Sequence, residues 1–307
     1  MIRSLYPIDL VSLPFFSRRA FPNEAITRDR LRRASLLSAE ALSEHWLPLR
    51  GRRHTWVSLD RGRILGVVST KSCSGPAAWQ IDYLQVGEDE HCFALLDKAS
   101  AAAAEKGVKK IFLRLPSTSP LIDGVRRAGF SCYTKDYLFR YGGEGGQGPA
   151  EVPLPYLLRP RSRADEYSLF SLYGVAVPLA VRTAEGMTLE EWRESRDRGS
   201  WLERHREFVL EKQGSLVGWL RINVARGMGC FAILFQPWAQ DELGWLVNYG
   251  LTCLDGKSPI LCIVSAFQGQ LRVLLERLDF EEVAEYSTLV KEIALRVREP
   301  SFVPMRA

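Results

Sequence analysis

Short alternating runs and longer apolar runs follow one another along this chain in an order that occurs twice. Trp56 to Asp60 alternates, turns at Arg61-Gly62 and resumes at Ile64-Leu65-Gly66, the pattern of a β-hairpin. Phe208 to Gly218, with its turn at Gln213-Gly214, has the same pattern. Apolar strands follow at Trp79 to Val86 and at Cys230 to Phe235. The next segments are helical: Phe93 to Lys106, rich in alanine, and Glu242 to Leu254. Ile111 to Leu115 and Ile260 to Val264 have the unbroken apolar character of buried strands. A short helix then ends at Arg126-Arg127-Ala128-Gly129-Phe130 in one half and at Glu276-Arg277-Leu278-Asp279-Phe280 in the other. Each phenylalanine stands 19 residues past Ile111 or Leu261. Tyr133 to Tyr141 and Val283 to Ile293 predict a closing pair of strands in each half. At the start of each repeat, Ile2-Arg3 and Leu158-Arg159 open a short strand leading to an acid, Asp9 or Asp165, before an apolar helix begins.

Between the repeats lies Gly142 to Pro149, followed by Pro153 and Pro155, a stretch that cannot bury a core. The expected organisation is a domain over 1–141, a linker over 142–155 and a second domain over 156–307. Each is an α/β unit with a mixed sheet, because the hairpin is antiparallel while the β-α-β step requires a parallel pair. The linker contains a literal G-x-G-x-x-G at Gly143, Gly145 and Gly148, but the prolines that follow leave no place for the helix a dinucleotide loop needs.

Composition narrows the function. With 46% hydrophobic and 25% charged residues the chain is an ordinary globular protein. No apolar run reaches the ~18 residues of a membrane span, and Leu5 to Asp9 lacks the h-region of a secretory signal. The six cysteines form no Cys-x-x-Cys pair and read as buried free thiols of a reducing cytosol. Cys92, at a helix start among acids, reads as structural. The net charge is +5. The basic run Arg28 to Arg33 is broken by Asp29 and falls in a helical pattern from Ile26 to Leu42. It reads as a solvated helix face, so no nucleic-acid partner is expected. The four histidines lack metal-ligand spacing, and Gly-x-Ser-x-Gly is absent.

The order of elements, with Ile2-Arg3, Gly62 to Gly66, Tyr83-Leu84-Gln85-Val86, Arg126 to Phe130 and their counterparts, resembles the GCN5-related N-acetyltransferase (GNAT) superfamily. The resemblance covers both halves and implies two tandem acyl-CoA N-acyltransferase folds. It implies that the fourth strand splays from the fifth and that acetyl-CoA, as co-substrate, lays its pantetheine in the gap. Its pyrophosphate would rest on the N–H groups at the next helix start. On that reading Leu84, Gln85 and Val86 in the first half, and Leu234, Phe235, Gln236 and Gly244 in the second, are the cofactor-binding residues. Asp82 takes the place of a catalytic base, its alternative being a strand carboxylate that faces solvent or is bound to an arginine.

Departures from the family pattern bear on activity. Gly87-Glu88-Asp89-Glu90 is short and acidic, and Pro237 removes a donor from the second loop. Val125 and Leu275 stand where the family carries a tyrosine acid. The resemblance therefore implies an N-acetyltransferase acting on an amine, a small molecule or peptide, with at most one half active. The acceptor would enter near Asp82 or near the helix opened by the capping box Thr188-Leu189-Glu190-Glu191. The alternative is an inactive tandem scaffold using Trp192, Trp201, Trp238 and Trp245 as anchors. No metal is expected, and the fused repeat is compatible with a monomer or a homodimer.

Overall fold

The structure, a computed structural model, describes residues 1–18, 20–27, 35–46, 53–143, 154–196, 204–225, 227–239 and 242–294. The first half runs β1 (Ile2–Ser4), α1 (Asp9–Ser17), α2 (Ala39–Trp46), β2 (Arg53–Asp60), β3 (Arg63–Ser72), β4 (Ala78–Val86), α3 (Asp89–Glu105), β5 (Lys110–Pro116), α4 (Ile122–Arg127) and β6 (Ser131–Tyr141). The second half runs β7 (Tyr156–Pro160), α5 (Glu166–Ala176), α6 (Leu179–Glu185), α7 (Leu189–Ser195), β8 (Arg204–Lys212), β9 (Ser215–Ala225), β10 (Met228–Phe235), α8 (Leu243–Cys253), β11 (Ile260–Ser265), α9 (Gly269–Arg277) and β12 (Phe280–Glu292).

The repeat is visible in detail. Both hairpins turn through two residues of positive φ, Arg61-Gly62 (45° and 80°) and Gln213-Gly214 (50° and 80°), the type that matches strand twist. Arg3 grips Asp9 with two hydrogen bonds of 2.7 and 2.8 Å, and Arg159 grips Asp165 with bonds of 2.8 and 2.7 Å. Gly66 and Gly218 let the strands approach the covering helices closely: a Cβ there would stand 2.8 Å from Leu95 and 2.7 Å from Leu246. Two large cores follow, one of Leu84, Leu95, Ile111 and Phe130 with their neighbours, the other of Phe231, Leu246, Cys262 and Phe280 with theirs.

The closing strands differ from expectation. Each half ends in one long strand instead of a pair, and the two are exchanged. The sheet order is β1-β2-β3-β4-β5-β12-β6-β11-β10-β9-β8-β7. β12 lies against β5 of the first half, β6 lies against β11 of the second, and the two pair antiparallel with each other. Asp136 faces Tyr286 at the centre of that pairing. Both stand six residues past the repeated phenylalanine, so a pseudo-two-fold axis passes between them. The reason is physical: each half lacks a second closing strand of its own, and its sheet would otherwise end in an unpaired edge. The boundary near 141 thus divides the chain without dividing the sheet.

Two smaller corrections follow. Of the helical pattern from Ile26 to Leu42, Ile26 instead bridges Arg114 and residues 35–38 form a turn before α2 at Ala39, while residues 28–34 lie outside the described residues. Cys132 is exposed and Cys253 half-buried, while Cys73, Cys92, Cys230 and Cys262 are buried thiols as expected. Arg28 to Arg33, most of the linker, Trp201, Gln240 and Asp241 lie outside the described residues. Among the described residues no helix is long and apolar enough to cross a membrane.

Candidate active site

In both halves the parallel pair parts part-way along. β4 pairs with β5 from Ala78 to Ile81, then continues to Val86 without it. β10 pairs with β11 from Gly229 to Ala232, then continues to Phe235. In β4 an extra residue, Asp82, bulges between the Ser69–Tyr83 and Thr70–Ile81 pairs, which bends the strand away. Backbone groups beyond the split have lost their ladder partners and must be satisfied otherwise.

In the first half the chain satisfies them itself. Alternate residues of an antiparallel strand face each neighbour, and the Gly87 N–H bond to Leu65 O sets the phase, so Leu84 and Val86 turn towards the gap. The Leu84 N–H donates to Asn23 Oδ1 at 2.9 Å, and the Phe21 N–H donates to Val86 O at 3.2 Å. Across the gap the Ile26 N–H donates to Arg114 O at 3.1 Å. Residues 21–26 therefore lie where a ligand would have to lie. Gln85 is buried and bonded to Tyr83 Oη and Ser17 Oγ. Asp82 gives both oxygens to Arg53, at 2.8 and 2.7 Å, in a buried pair that also reaches Ser69 and Glu44. This is the arginine-bound alternative, and it leaves Asp82 no path to a substrate. Two residues, Gly87 and Glu88, join β4 to α3, too few to cradle a pyrophosphate.

The second half is different. The Gln236 N–H bond to Val217 O turns Ile233 and Phe235 towards the gap. One side chain, Gln268, bridges its floor: Nε2 donates to Ile233 O at 2.6 Å, and Oε1 accepts from the Ser265 N–H at 3.0 Å. Above it Leu234, Phe235, Pro237 and Phe267 line a cleft of about 380 Å³. Seven residues, 236–242, join β10 to α8. Gln236 is turned away from the cleft by its bond to Leu216 O, and Gly244, in the first turn of α8, has open space beside it. Glu242 accepts from Tyr156 Oη near that helix start, with Lys212 Nζ at 3.8 Å.

A second cavity, of about 210 Å³, lies on the sheet face under α5, α6 and α7, and shares Leu234, Phe267 and Gln268 with the cleft. Aromatic walls come from Tyr173, Trp192 and Trp219. Trp192 is thus a buried cavity wall, held by the Thr188–Glu191 capping box at the start of α7. Of the other anchors considered, Trp238 is exposed and Trp245 packs edge-on against Tyr156.

Two carboxylates reach this cavity, neither from β10. Asp136 arrives on the exchanged strand β6: it accepts from Ser265 Oγ at 2.8 Å and Thr288 Oγ1 at 3.2 Å, with Arg114 at 3.6 Å. Because Ser265 also holds Gln268, Asp136 sits beside the junction of the two cavities. Glu185, at the end of α6, accepts from Tyr133 Oη at 3.1 Å and Tyr173 Oη at 3.3 Å. Cys230 also lines the cavity, but burial pushes its thiol up to about 12, so it stays protonated and is no nucleophile. Among the described residues no group of three or more His, Cys, Asp or Glu side chains could hold a metal.

No family model and no curated protein matches the chain in sequence. Its fold is similar to that of a GCN5-related N-acetyltransferase from Sphaerobacter thermophilus, at 15% identity and a TM-score of 0.55 over 95% of each chain. A tandem GNAT protein from the clavulanic acid biosynthesis pathway, solved without AcCoA, matches 96% of this chain and 98% of its own at 13% identity and a TM-score of 0.54. A GCN5-related N-acetyltransferase from Anabaena variabilis matches 96% of this chain and 73% of its own, at 9% identity and a TM-score of 0.52. Nearly its whole length is therefore folded as two tandem GNAT units, fused through exchanged closing strands.

Proposed function

We propose that the protein is an acyl-CoA-dependent N-acyltransferase whose working site is in the second half. The observation that carries this is the meeting of cleft and cavity at Leu234, Phe267 and Gln268, with Asp136 beside the junction. Phe235, turned into the gap, offers backbone groups to the donor's pantetheine amides. Lys212, near the start of α8, offers charge to the phosphates. The donor supplies an acyl group activated as a thioester.

The residues of this chain do the rest. Aromatic walls hold the body of the acceptor and keep water from its amine. Asp136, which accepts from two hydroxyl donors beside Arg114, takes the ammonium proton, so that the nitrogen lone pair can attack the acyl carbonyl carbon. The carbon–sulfur bond then breaks, the thiolate leaves and is protonated, and an amide is formed. The first half, with its gap filled by 21–26, serves as scaffold and donates Asp136.

Calorimetric titration with desulfo-CoA tests the donor site. One site per chain, retained in Asp136→Asn while thiol release from acetyl-CoA with an amine falls at least about 100-fold, is the expected result. No binding at millimolar desulfo-CoA would overturn the reading.

A further inference from the structure

We propose that the acceptor is a compact apolar amine, with its nitrogen on a short arm carrying a single six-membered ring. This rests on the acyltransferase reading for its chemistry, and on the walls and size of the cavity for its recognition.

The walls are apolar and fixed. Leu169, Val177 and Val181 come from α5, α6 and the corner between them, and Tyr173, Trp192 and Trp219 complete them. Trp192 is wedged among its neighbours: the ring centres of Phe170 and Tyr173 each lie 5.7 Å from its own, and the Arg196 guanidinium lies 5.0 Å away. Walls that are set before the ligand arrives cost little ordering on binding.

The polar side chains of the lining are engaged within the protein. Asp136 accepts from Ser265 and Thr288, and Gln268 bonds Ile233 and Ser265. Glu185 accepts from the Tyr133 and Tyr173 phenols, and beside it Lys110 Nζ donates to the Thr183 and Ala184 carbonyls at 2.7 and 2.9 Å. Arg196 bonds Glu207 at 3.4 Å, Thr134 and Ser195 bond backbone carbonyls, and Arg221 and Asn223 interact with other groups of the chain. The exception is the Trp219 indole N–H, a neutral donor buried with no hydrogen-bond partner among the described residues. A polar group already engaged gains little from a ligand, so recognition of the acceptor's body falls to the apolar walls. Asp136 still has lone pairs to accept from the amine.

Size limits the bulk of that body. An apolar cavity of about 150 Å³ holds one benzene ring. This one is about 210 Å³. Beyond the ring it has room for roughly two more heavy atoms, at the ~30 Å³ that a water takes in the liquid. That is a ring and its arm, with the nitrogen at Asp136 by the junction. A second ring does not fit, and a polyamine would bury further charges against tryptophan and leucine. One missing methylene in an apolar pocket costs about tenfold or more, so a missing ring costs at least about 100-fold.

Calorimetry on the unaltered protein without donor tests this with 2-phenylethylamine and 2-cyclohexylethylamine against ethylamine, spermidine and 2-(4-biphenylyl)ethylamine. The expected result is that both single-ring amines bind at least about 100-fold tighter than ethylamine or spermidine, and at least about tenfold tighter than the biphenyl amine. In Val181→Phe, which adds a ring to the lining, affinity for 2-phenylethylamine falls at least about tenfold while desulfo-CoA binding is kept. Leu169→Ala, which widens the cavity, is the second check and admits the biphenyl amine. Ethylamine, spermidine or the biphenyl amine binding as well as 2-phenylethylamine overturns the proposal, as does unchanged 2-phenylethylamine binding in both variants. Desulfo-CoA titration of the same samples separates the two failures. Its absence with the ring preference intact sinks only the acyltransferase reading, and its presence without that preference sinks only the acceptor class.

Discussion

Single residues set the acid limit of this protein. Asp165 is held well below the usual carboxylate range, first by its bonds to Arg159 and then by the Ser162 N–H, and Asp9 is lowered likewise by Arg3 and the Tyr6 N–H. A lowered folded-state pKa contributes stability that is complete above about pH 4 and is lost as the pH falls through the folded value. Asp165→Asn should therefore cost about 1–3 kcal/mol at pH 7 in urea unfolding and reduce the loss of stability below pH 4. His54 gives a second window. With its ring centre 4.9 Å from that of Trp79, tilted by 34°, it is pushed down to about 4 chiefly by burial, with Lys106 adding repulsion. Stability should thus fall as the pH drops from about 6.5, the unfolded value, towards 4. His54→Phe should flatten the melting temperature across that interval. An unaltered slope would show that the imidazole is not the cause. The Arg3–Asp9 and Arg159–Asp165 correspondence was legible because both partners are close in sequence. Asp136 was not, since nothing in Lys135-Asp136-Tyr137 says that its strand belongs to the other half.

At the scale of elements, the contrast between the two gaps is what assigns the proposed site to the second half. The family resemblance places Leu84, Gln85 and Val86 at the gap; Leu84 and Val86 do face it, bonded to Asn23 and Phe21, while Gln85 is turned to Tyr83 and Ser17. No periodicity announces that six irregular residues, 21–26, will add themselves to a strand. Asn23→Ala removes the acceptor of the Leu84 N–H and should destabilise the protein by about 1–3 kcal/mol, leaving desulfo-CoA stoichiometry and second-half activity as they were. A change in either would mean that the first half has a role in catalysis beyond support and the Asp136 it donates. The corner between α6 and α7 is a second such element. Gly186 lies so close to α7 that a Cβ would stand 2.4 Å from the Trp192 backbone nitrogen. Gly186→Ala must push α7 outward and with it the Trp192 wall. The expected outcome is a KM for acceptor raised at least tenfold with donor affinity retained, because the donor cleft touches neither helix. The capping box at Thr188 was legible from spacing; the wall it builds was not, since Glu185 and Trp192 become neighbours of Asp136 only after folding.

At the scale of the whole molecule, the exchanged strands make the halves interdependent. β12 completes the first sheet and β6 the second, joined to each other over ten paired positions. The repeat in the sequence predicts two domains, and the elements of each are where the repeat puts them. What the repeat could not reveal is partnership: Tyr133–Tyr141 and Val283–Ile293 have the same character whether each strand closes its own half or the other's. Residues 1–143 and 154–307 produced separately should each be insoluble or unfolded by circular dichroism, and together they should restore a soluble 1:1 complex. Two stable monomers would contradict the exchange.

The same arrangement orders events during synthesis. The first half leaves the ribosome with β5 waiting for a neighbour, β12, that follows only after the whole of the second half's other elements, and β6 has no partner until β11 and β12 exist. The central part of the sheet is therefore assembled last, from segments separated by about half of the chain. Until then two long strand edges stand open, and any other chain in the same condition is a possible partner. A cell making this protein quickly would meet that hazard as entangled dimers in which one copy's β12 closes the other copy's first half.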